Sequence, residues 1–502
     1  MNWKIIWQSL SHSDMRKRIL AVLGILLVFR ILAELPVPIA NPKTFHQVLQ
    51  NLFNSKNTPQ FLSFINVLSG GALANFSIMI AGLGPYINAS IIMQLLTKAI
   101  PKLEALHKEG EYGQKKINQY TRILTFPLAI IQSIGSIFLI RQAAQSIGGG
   151  NITANASIMQ WVLMVSALTG GSMLLMWLGE LVTEQSLGNG ISLIITVGIV
   201  SRLPANIQQI IDSVIKGHQH WKIFGHSIAF NTNALIYTVI LIASIIILTW
   251  LVVMLNEAAR NLTVNYAKRV QGNRTYGGIT TTLPVKMVTA GVIPIIFAVA
   301  FLSVPSFGGE LLKGIHSGPW SHIGTDLVTW FQTPTITTFK TEGLIAYIYP
   351  VTYFLLVFIF TFFYTSITFN SQEIAENLHK QGGFISGVRG GEQTEKYLSY
   401  IVNRLTFFGA VSLGLLALLP IVAQLFVTVS ITIGGTSILI LVSVALQTLR
   451  AVESRALMVT YDQYSQPDFF YEPEVPIEAA GGGGELKFGP RLLRRMKNTK
   501  KN

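Results

Sequence analysis

The sequence predicts an all-α protein that crosses a membrane many times. Half of its 502 residues are hydrophobic, only 12% are charged, and the mean hydropathy is +0.49, whereas a soluble domain has about 25% charged residues. Ten apolar segments approach or exceed the roughly 20 residues that cross a hydrocarbon core. Basic residues are concentrated in alternate connections between these segments. These three observations predict ten transmembrane helices.

The ten predicted spans extend over most of the chain. The fifth is short and begins after Gly188-Asn189-Gly190, so its flanks must contribute to its length. In chain order the spans are Ile19–Leu35, Ser77–Thr97, Ile123–Ile140, Ile158–Leu181, Ile191–Val200, Leu235–Leu255, Val285–Val304, Leu344–Ile367, Leu405–Val427 and Ile431–Leu449.

The distribution of basic residues predicts the side on which each connection lies. Lysine and arginine are frequent in the N-terminal segment, in the second, sixth and eighth connections, and after the last span. They are sparse in the first, third, fifth and seventh connections. Basic connections stay in the cytoplasm. Both termini are therefore expected in the cytoplasm, as an even number of spans requires.

Span 2 contains residues that a helix surrounded by lipid does not need. Its helix is expected to begin near Ser77, and glycine, proline and polar side chains follow. Such residues are typical of backbone that is bent or that lines a cavity. In span 1, Arg30 and Glu34 lie four residues apart and are expected to form a local ion pair near the outer end. The residues that mark span 2 are Gly82, Gly84, Pro85, Asn88, Ser90 and Gln94.

The sequence lacks the patterns that are typical of enzymes. It has no cysteine, no histidine cluster with metal-ligand spacing, no Ser/His/Asp set within the spans and no phosphate-binding loop. We therefore expect no catalytic residue, no metal and no cofactor. A secondary transporter is an alternative, because broken helices are common in that class. Its solute site would need ionisable or carbonyl ligands at the midplane, and few ionisable residues lie deep in the spans.

Eleven short blocks, in order along the chain, carry a resemblance to a known family. They are Ser69–Leu73, Pro85–Ile92, Gln94–Thr97, Lys108–Glu111, Tyr120–Arg122, Met176–Glu180, Gly188–Ser192, Val264–Arg269, Ala290–Pro294, Gly391–Thr394 and Gly434–Ser437. In this combination they closely resemble the SecY family, whose members form the central subunit of the bacterial protein-conducting channel.

The resemblance implies an architecture that hydropathy alone does not give. Ten helices would form two inverted-repeat halves of five around a central hourglass pore, with a plug helix in the outer funnel. The implied divisions are an N-terminal half at 1–201 with the plug at about 61–76, an external hinge at 202–233, a C-terminal half at 234–458 with cytoplasmic loops at 256–284 and 369–404, and a flexible basic tail at 459–502.

The resemblance also implies roles for residues in the pore. A ring of bulky apolar side chains would seal the pore against ions, because it offers them no ligands. The plug would be made of small residues that can pack closely and withdraw. The ring candidates are Leu83, Ile87, Ile191, Ile195, Ile296 and Ile440, and the plug candidates are Ser69, Gly70, Gly71, Ala72, Leu73 and Phe76.

A lateral gate is implied between spans 2 and 3 on one side and spans 7 and 8 on the other. Polar groups at this seam would hold it shut through interhelical hydrogen bonds of about 0.6 kcal/mol each. Routine interhelical bonding without a gating role is an equal alternative. The gate candidates are Asn88, Gln94, Thr289, Ile293 and Pro294.

The basic cytoplasmic loops are implied to dock the SecA ATPase and the ribosome. Family members often have prolines where Ser386 and Gly390 stand, so we expect a more flexible loop tip here. The docking candidates are Arg260, Lys268, Arg269, Arg274 and Arg389. Positive-inside topology alone would also explain these charges.

Function follows from the same resemblance. It implies a passive channel that moves unfolded secretory polypeptides across the bacterial plasma membrane and releases transmembrane segments sideways into lipid. The implied partners are SecE-like and SecG-like small subunits, SecA, the ribosome, signal peptides, nascent chains and membrane lipids. An accessory paralogue with a narrow substrate set is the nearest alternative.

Overall fold

The architecture is taken from a computed structural model of the whole chain. It describes residues 13–37, 77–146, 157–215, 219–223, 226–230, 232–266, 269–271, 274–276, 278, 280–313, 318–332, 334, 343–426 and 435–465. Long helices make up most of these residues, and short strands and helices connect them.

A helix overlaps each of the ten predicted spans. In the order of the spans these helices are α1 (Ser13–Glu34), α2 (Gly84–Ala99), α4 (Glu111–Ser146), α5 (Ile158–Glu184), α6 (Gly190–Ile215), α7 (Thr232–Glu257), α8 (Ile293–Lys313), α10 (Ile348–Thr368), α12 (Glu392–Phe426) and α13 (Gly435–Ser465). The connecting helices are α3 (Pro101–Lys108), α9 (Pro319–Trp330) and α11 (Ser371–Lys380), and a 3-10 turn at Gly343–Tyr347 precedes α10.

Seven helices within the described ranges are long and apolar enough to cross a membrane by length and composition. They are the helices of spans 3, 4 and 6 to 10. The apolar part of α6 is shorter, at Gly190–Pro204. Helix α2 has 16 residues, and α1 begins with the charged stretch that precedes Ile19. The prediction of a multi-pass helical membrane protein is confirmed.

The predicted starts of spans 2 and 7 are wrong. Helix α2 begins at Gly84 rather than near Ser77, and α8 begins at Ile293 rather than at Val285. Both delays have the same cause. A glycine in the left-handed region, Gly82 with φ 59° or Gly291 with φ 62°, interrupts the chain before each helix, and a right-handed helix cannot pass through that conformation.

Within the described ranges, the connections contain seven short strands. They are β1 (Gln219–Ile223), β2 (His226–Phe230), β3 (Ala259–Tyr266), β4 (Arg269–Gln271), β5 (Arg274–Tyr276), β6 (Thr280–Lys286) and β7 (Gly383–Ile385). Strands β1 with β2 and β4 with β5 form antiparallel hairpins. Strand β3 lies between β6 and β7 in a three-stranded antiparallel sheet. This sheet joins the sixth and eighth connections, which the sequence analysis treated as loops.

The main apolar core lies among the long helices. It is one cluster of buried side chains drawn from both halves of the chain, from Phe29 in α1 to Val444 in α13. A separate cluster beneath the three-stranded sheet joins Val264 of β3 to Leu378 of α11 and Leu398 of α12. The described structure therefore has a helical body and a small sheet-based unit, which we call the sheet platform.

Candidate functional site

Helix α2 is preceded by a buried segment that is not helical, residues 77–83, which we call the first lead segment. Its backbone forms successive tight turns, and the amide of Ile78 donates to the carbonyl of Leu35, directly after α1. The hydroxyl of Ser77 donates to the carbonyl of Leu32 at 2.9 Å. Irregular backbone is tolerated at membrane depth only where protein surrounds it and satisfies its polar groups.

Helix α8 is preceded by an equivalent segment, residues 286–292, the second lead segment. The amide of Met287 donates to the carbonyl of Ala258, directly after α7, as Ile78 does after α1. From Ile78 and from Met287 alike, a glycine with positive φ follows four residues later and a proline follows seven residues later. The two halves therefore contain the same local structure, and five spans separate its two copies.

Each lead segment also rests on a glycine of another span. A Cβ atom built on Gly171 of α5 would overlap the carbonyl oxygen of Ile78, and one built on Gly409 of α12 would lie 2.5 Å from the carbonyl oxygen of Met287. Spans 4 and 9 occupy equivalent places in halves of five spans. The repeat thus extends to the helices against which the lead segments pack.

The six ring candidates come together in the main core. Five are buried members of the apolar cluster, and Ile191 is partly buried against it. Two pairs are equivalent in the repeat. Ile87 and Ile296 each stand three residues after the start of α2 or α8, and Ile195 and Ile440 each stand five residues after the start of α6 or α13. Inverted repeats place such equivalent residues near the bilayer midplane.

The repeat identifies one residue that the sequence analysis missed. Val292 is the equivalent of Leu83, because each ends its lead segment, and both side chains are fully buried in the main core. Neither hydropathy nor a short motif singles out Val292. Aligning the two Gly-x-x-Pro segments, Gly82–Pro85 and Gly291–Pro294, would have found it.

Helices α2 and α4 pack against α8, so spans 2, 3 and 7 meet along one seam. The ring of Phe307 in α8 lies directly against Gly135 in α4, where a Cβ atom would overlap it. The Gln94 side chain donates to Ser90 of the same helix at 3.1 Å, and its carbonyl oxygen is buried without a hydrogen-bond partner among the described residues. Asn88 is half-buried on the same helix.

Thr289 does not cross this seam. Its hydroxyl donates to Thr365 of α10 at 3.2 Å, so the bond joins spans 7 and 8 within the C-terminal half. Pro294 is buried in the first turn of α8, and the partly buried Ile293 packs against the main core. The second lead segment also borders a cavity of about 270 Å³ that Asn256, Ser443 and Gln447 help to line.

The sheet platform presents two of the docking candidates. Arg260 lies in β3 and Arg389 follows β7, and both side chains are exposed. Among the described residues neither has an ion-pair partner. Neighbouring lysines differ: Lys380 lies 3.7 Å from Glu376, and Lys396 lies 2.8 Å from Glu392. The hydrogen bond that Lys396 donates to Glu392 holds the pKa of Lys396 above its usual range.

Three contacts position the loop that carries Arg389. Asn265 of β3 donates to the hydroxyl of Ser386 at 3.0 Å, and Thr394 donates to the backbone carbonyl of Arg389 at 3.0 Å. Gly390 lies against the His379 ring. These contacts act against the looseness expected from the absence of prolines. Arg269 and Arg274 lie in the β4–β5 hairpin.

Some predicted features lie outside the described residues. They are the plug candidates Ser69, Gly70, Gly71, Ala72, Leu73 and Phe76, the docking candidate Lys268, and the tail beyond Ser465. Helix α13 runs past the predicted domain boundary at 458, and α6 continues into the predicted hinge. The Arg30–Glu34 ion pair is confirmed, at 3.1 Å.

The repeat and the long apolar helices define a helical membrane protein built from two similar halves, and comparison with known proteins names the family. The SecY family profile matches residues 77–449, so the chain belongs to the SecY family. It is similar to the protein translocase subunit SecY of Streptomyces galbus, with 39% identity over 90% of this chain and 97% of that protein. The SecY subunit of Corynebacterium glutamicum is also 39% identical, over 91% of this chain and 98% of that protein.

Solved structures share the fold at lower sequence identity. A structure described as that of a protein conducting channel matches with a TM-score of 0.57 and 19% identity, over 86% of this chain and 91% of that one. Sec61 in a canine ribosome–channel complex from the endoplasmic reticulum matches with a TM-score of 0.52 and 18% identity, over 86% of this chain and 91% of that one.

Proposed function

We propose that this chain is the pore subunit of a bacterial protein-conducting channel. It passes unfolded secretory polypeptides across the plasma membrane and releases transmembrane segments sideways into lipid. One observation carries the proposal. Two pairs of equivalent isoleucines, with one member of each pair in each half, belong to the same apolar cluster: Ile87 with Ile296 and Ile195 with Ile440. A solute transporter would need polar ligands at that place.

The pore is sealed by contact between apolar side chains. Leu83, Val292 and the equivalent isoleucines offer no oxygen or nitrogen ligand, so an ion that entered would lose its hydration without compensation. A polypeptide can pass because these apolar side chains can move aside by changing rotamer. A plug at about 61–76, outside the described residues, would close the outer funnel as the family resemblance implies.

The lateral gate lies along the seam where α2 and α4 meet α8, with α10 packed against α8. The Phe307 ring of α8 lies against Gly135 of α4 across this seam, and a polar group there would add only a weak hydrogen bond of about 0.6 kcal/mol. An apolar signal helix can compete with a seam of this strength. Asn88 and Gln94 form one side of the gate, and Ile293 and Pro294 belong to the other.

The sheet platform lies on the cytoplasmic face and docks the energy source. Its exposed, unpaired Arg260 and Arg389 suit a polyanion or an acidic protein surface, since a cation without an acidic neighbour is available to a partner. The chain itself supplies no chemistry for driving transport, so a SecA-type ATPase or the translating ribosome does. SecE-like and SecG-like small subunits complete the channel, and both termini are cytoplasmic.

Reconstitution tests this function directly. The purified protein, its small partner subunits and a SecA-type ATPase are placed in lipid vesicles with an unfolded polypeptide that carries a signal sequence. We expect ATP-dependent protection of the polypeptide from added protease. The matched control is the same polypeptide without its signal, which stays accessible. Uptake of small solutes without any polypeptide protection would contradict the proposal.

A further inference from the structure

The two glycines beneath the lead segments have no role in the pore ring or at the gate seam. We propose that Gly171 and Gly409 set how strictly the channel selects chains that carry a signal sequence, because each holds one gate helix in place. This inference rests on the proposed function. It assigns a positioning role to residues that touch neither the substrate nor the seam.

The contact at Gly171 holds the start of span 2. The carbonyl of Ile78 lies so close to the Gly171 backbone that no side chain fits between them. The next residue, Ser172, donates its hydroxyl to the carbonyl of Gly82 at 3.1 Å. Two consecutive residues of α5 thus support both ends of the turn that leads into α2.

The contact at Gly409 holds the start of span 7 in the same way. A Cβ atom there would lie 2.5 Å from the carbonyl oxygen of Met287 and 3.2 Å from its carbonyl carbon. Real Cβ atoms essentially never approach another heavy atom within 3.0 Å. The neighbouring Ala410 is fully buried and has no hydroxyl, so it cannot make the hydrogen bond that Ser172 makes.

Displacement of either lead segment would be transmitted to the gate. Each lead segment runs directly into a helix that forms one side of the seam, and its left-handed glycine stands three residues before the proline in the first turn of that helix. A methyl group at position 171 or 409 must push the backbone rather than a flexible side chain tip. Close-packed interiors transmit such shifts instead of absorbing them.

The first experiment measures the seam without measuring transport. The chain has no cysteine, so a single pair introduced as Gly135→Cys and Phe307→Cys reports the separation of spans 3 and 7 through a short thiol crosslinker. Gly171→Ala and Gly409→Ala are added to this background. Gly170→Ala and Gly24→Ala are matched controls, because a Cβ atom at either position meets nothing within 4 Å. All four substitutions replace a helical glycine with alanine, so they share the same gain in helix propensity.

The second experiment measures selectivity in the reconstituted channel. We expect Gly171→Ala and Gly409→Ala to raise transport of the polypeptide without a signal about tenfold, the factor that corresponds to a shift of about 1.4 kcal/mol in a two-state gate. The crosslinking yield between positions 135 and 307 should fall in the same variants. The two control variants should match the unmodified protein in both measurements.

Each outcome has one meaning. If all four variants crosslink and select alike, the glycine contacts do not position the gate, and the inference is overturned. If crosslinking changes while selectivity does not, the role in selection is overturned. If the unmodified protein transports no signal-bearing polypeptide, the proposed function fails instead, and the crosslinking comparison still reports on the contacts. If a glycine variant fails to reach the membrane, Ser172→Ala takes its place in both measurements, because it removes the bond to Gly82 that supports the first lead segment without adding an atom. Crosslinking and selectivity equal to those of the unmodified protein would then overturn the inference.

Discussion

Both halves of the chain contain the same lead segment, but the strand pairing that leads into it differs between them. In the N-terminal half a single antiparallel bridge, Pro36 with Ser77, precedes α2. In the C-terminal half the equivalent bridge, Ala259 with Lys286, is the first of seven pairs between β3 and β6. Strand β7 then adds a third strand on the other side of β3. The part common to both halves leads into α2 and α8, and the extra part forms the sheet platform.

This difference separates what a symmetric pore needs from what a one-sided channel needs. Four of the six ring candidates form two equivalent pairs, Ile87 with Ile296 and Ile195 with Ile440, so both halves contribute to the proposed ring. The docking candidates Arg260 and Arg389 have no counterpart among the described residues of the N-terminal half. A repeated structure can form the pore. Docking a partner on one side of the membrane only requires an element that is present in one half only.

The largest effect should follow from removing the core of the platform. Leu398 is fully buried beneath the sheet, so Leu398→Ala should destabilise the platform by about 2–5 kcal/mol, as large-to-small core changes do. Hydrogen exchange of the peptides that cover β3, β6 and β7 should accelerate, while exchange in α2 stays unchanged. The control is Tyr400→Ala, two residues away and exposed. Equal exchange in both variants would mean that the platform does not depend on this core.

A smaller effect is expected from the exposed cation of the platform. Arg389→Glu should weaken binding of a SecA-type ATPase or of ribosomes about tenfold at low salt, because a charge-assisted contact becomes a repulsion. Binding is measured on vesicles that contain the protein. The matched control is Lys380→Glu, which changes the charge equally but removes a lysine that already pairs with Glu376. The same loss in both variants would show that only the net charge matters.

The lead segment of the N-terminal half offers a milder test. Ser172→Ala removes the hydrogen bond to the carbonyl of Gly82, at a cost of about 1 kcal/mol. Because Ala410 occupies the equivalent place, the variant makes the first lead segment resemble the second. The thermal unfolding midpoint of Ser172→Ala in detergent should be slightly lower than that of the unmodified protein. Adding Ala410→Ser to this variant should not restore the midpoint. An unchanged midpoint for Ser172→Ala would show that packing on Gly171 is sufficient.

The smallest effect concerns the loop tip of the platform. Asn265→Ala removes an exposed bond to Ser386 and should cost about 0.5 kcal/mol, at the low end for a single hydrogen bond. Proteolysis of the 383–391 loop should become slightly faster, and binding of the docking partner should weaken less than in Arg389→Glu. A loss as large as that of Arg389→Glu would place Asn265 itself in the docking surface.

The sequence predicted the helical body well and the connections poorly. Long apolar segments identify spans because a bilayer demands about 20 apolar residues, and each predicted span overlaps a helix. The delayed starts of α2 and α8 depend on the conformations of Gly82 and Gly291, which hydropathy does not register. The platform was missed because Val264, Ile385 and Leu398 are far apart in sequence and only tertiary pairing brings them together.

The candidate site was predictable only in part. Ring residues came from the resemblance to the SecY family, and their equivalence in pairs came from the structure. The Arg30–Glu34 pair could be predicted because it is local to one helix. The partner of Thr289, which is Thr365, could not be predicted, because packing between spans decides which of the many polar groups meet.

The most direct test of the pore is ion conductance in a planar bilayer. Ile87→Asn and Ile296→Asn change equivalent ring residues, one in each half, and Ile246→Asn changes an exposed residue of α7 as the control. The account predicts that each ring variant leaks ions well above the unmodified channel and that the two leak to a similar extent, while Ile246→Asn does not leak. Conductance of both ring variants equal to that of the unmodified channel would contradict a seal at these residues.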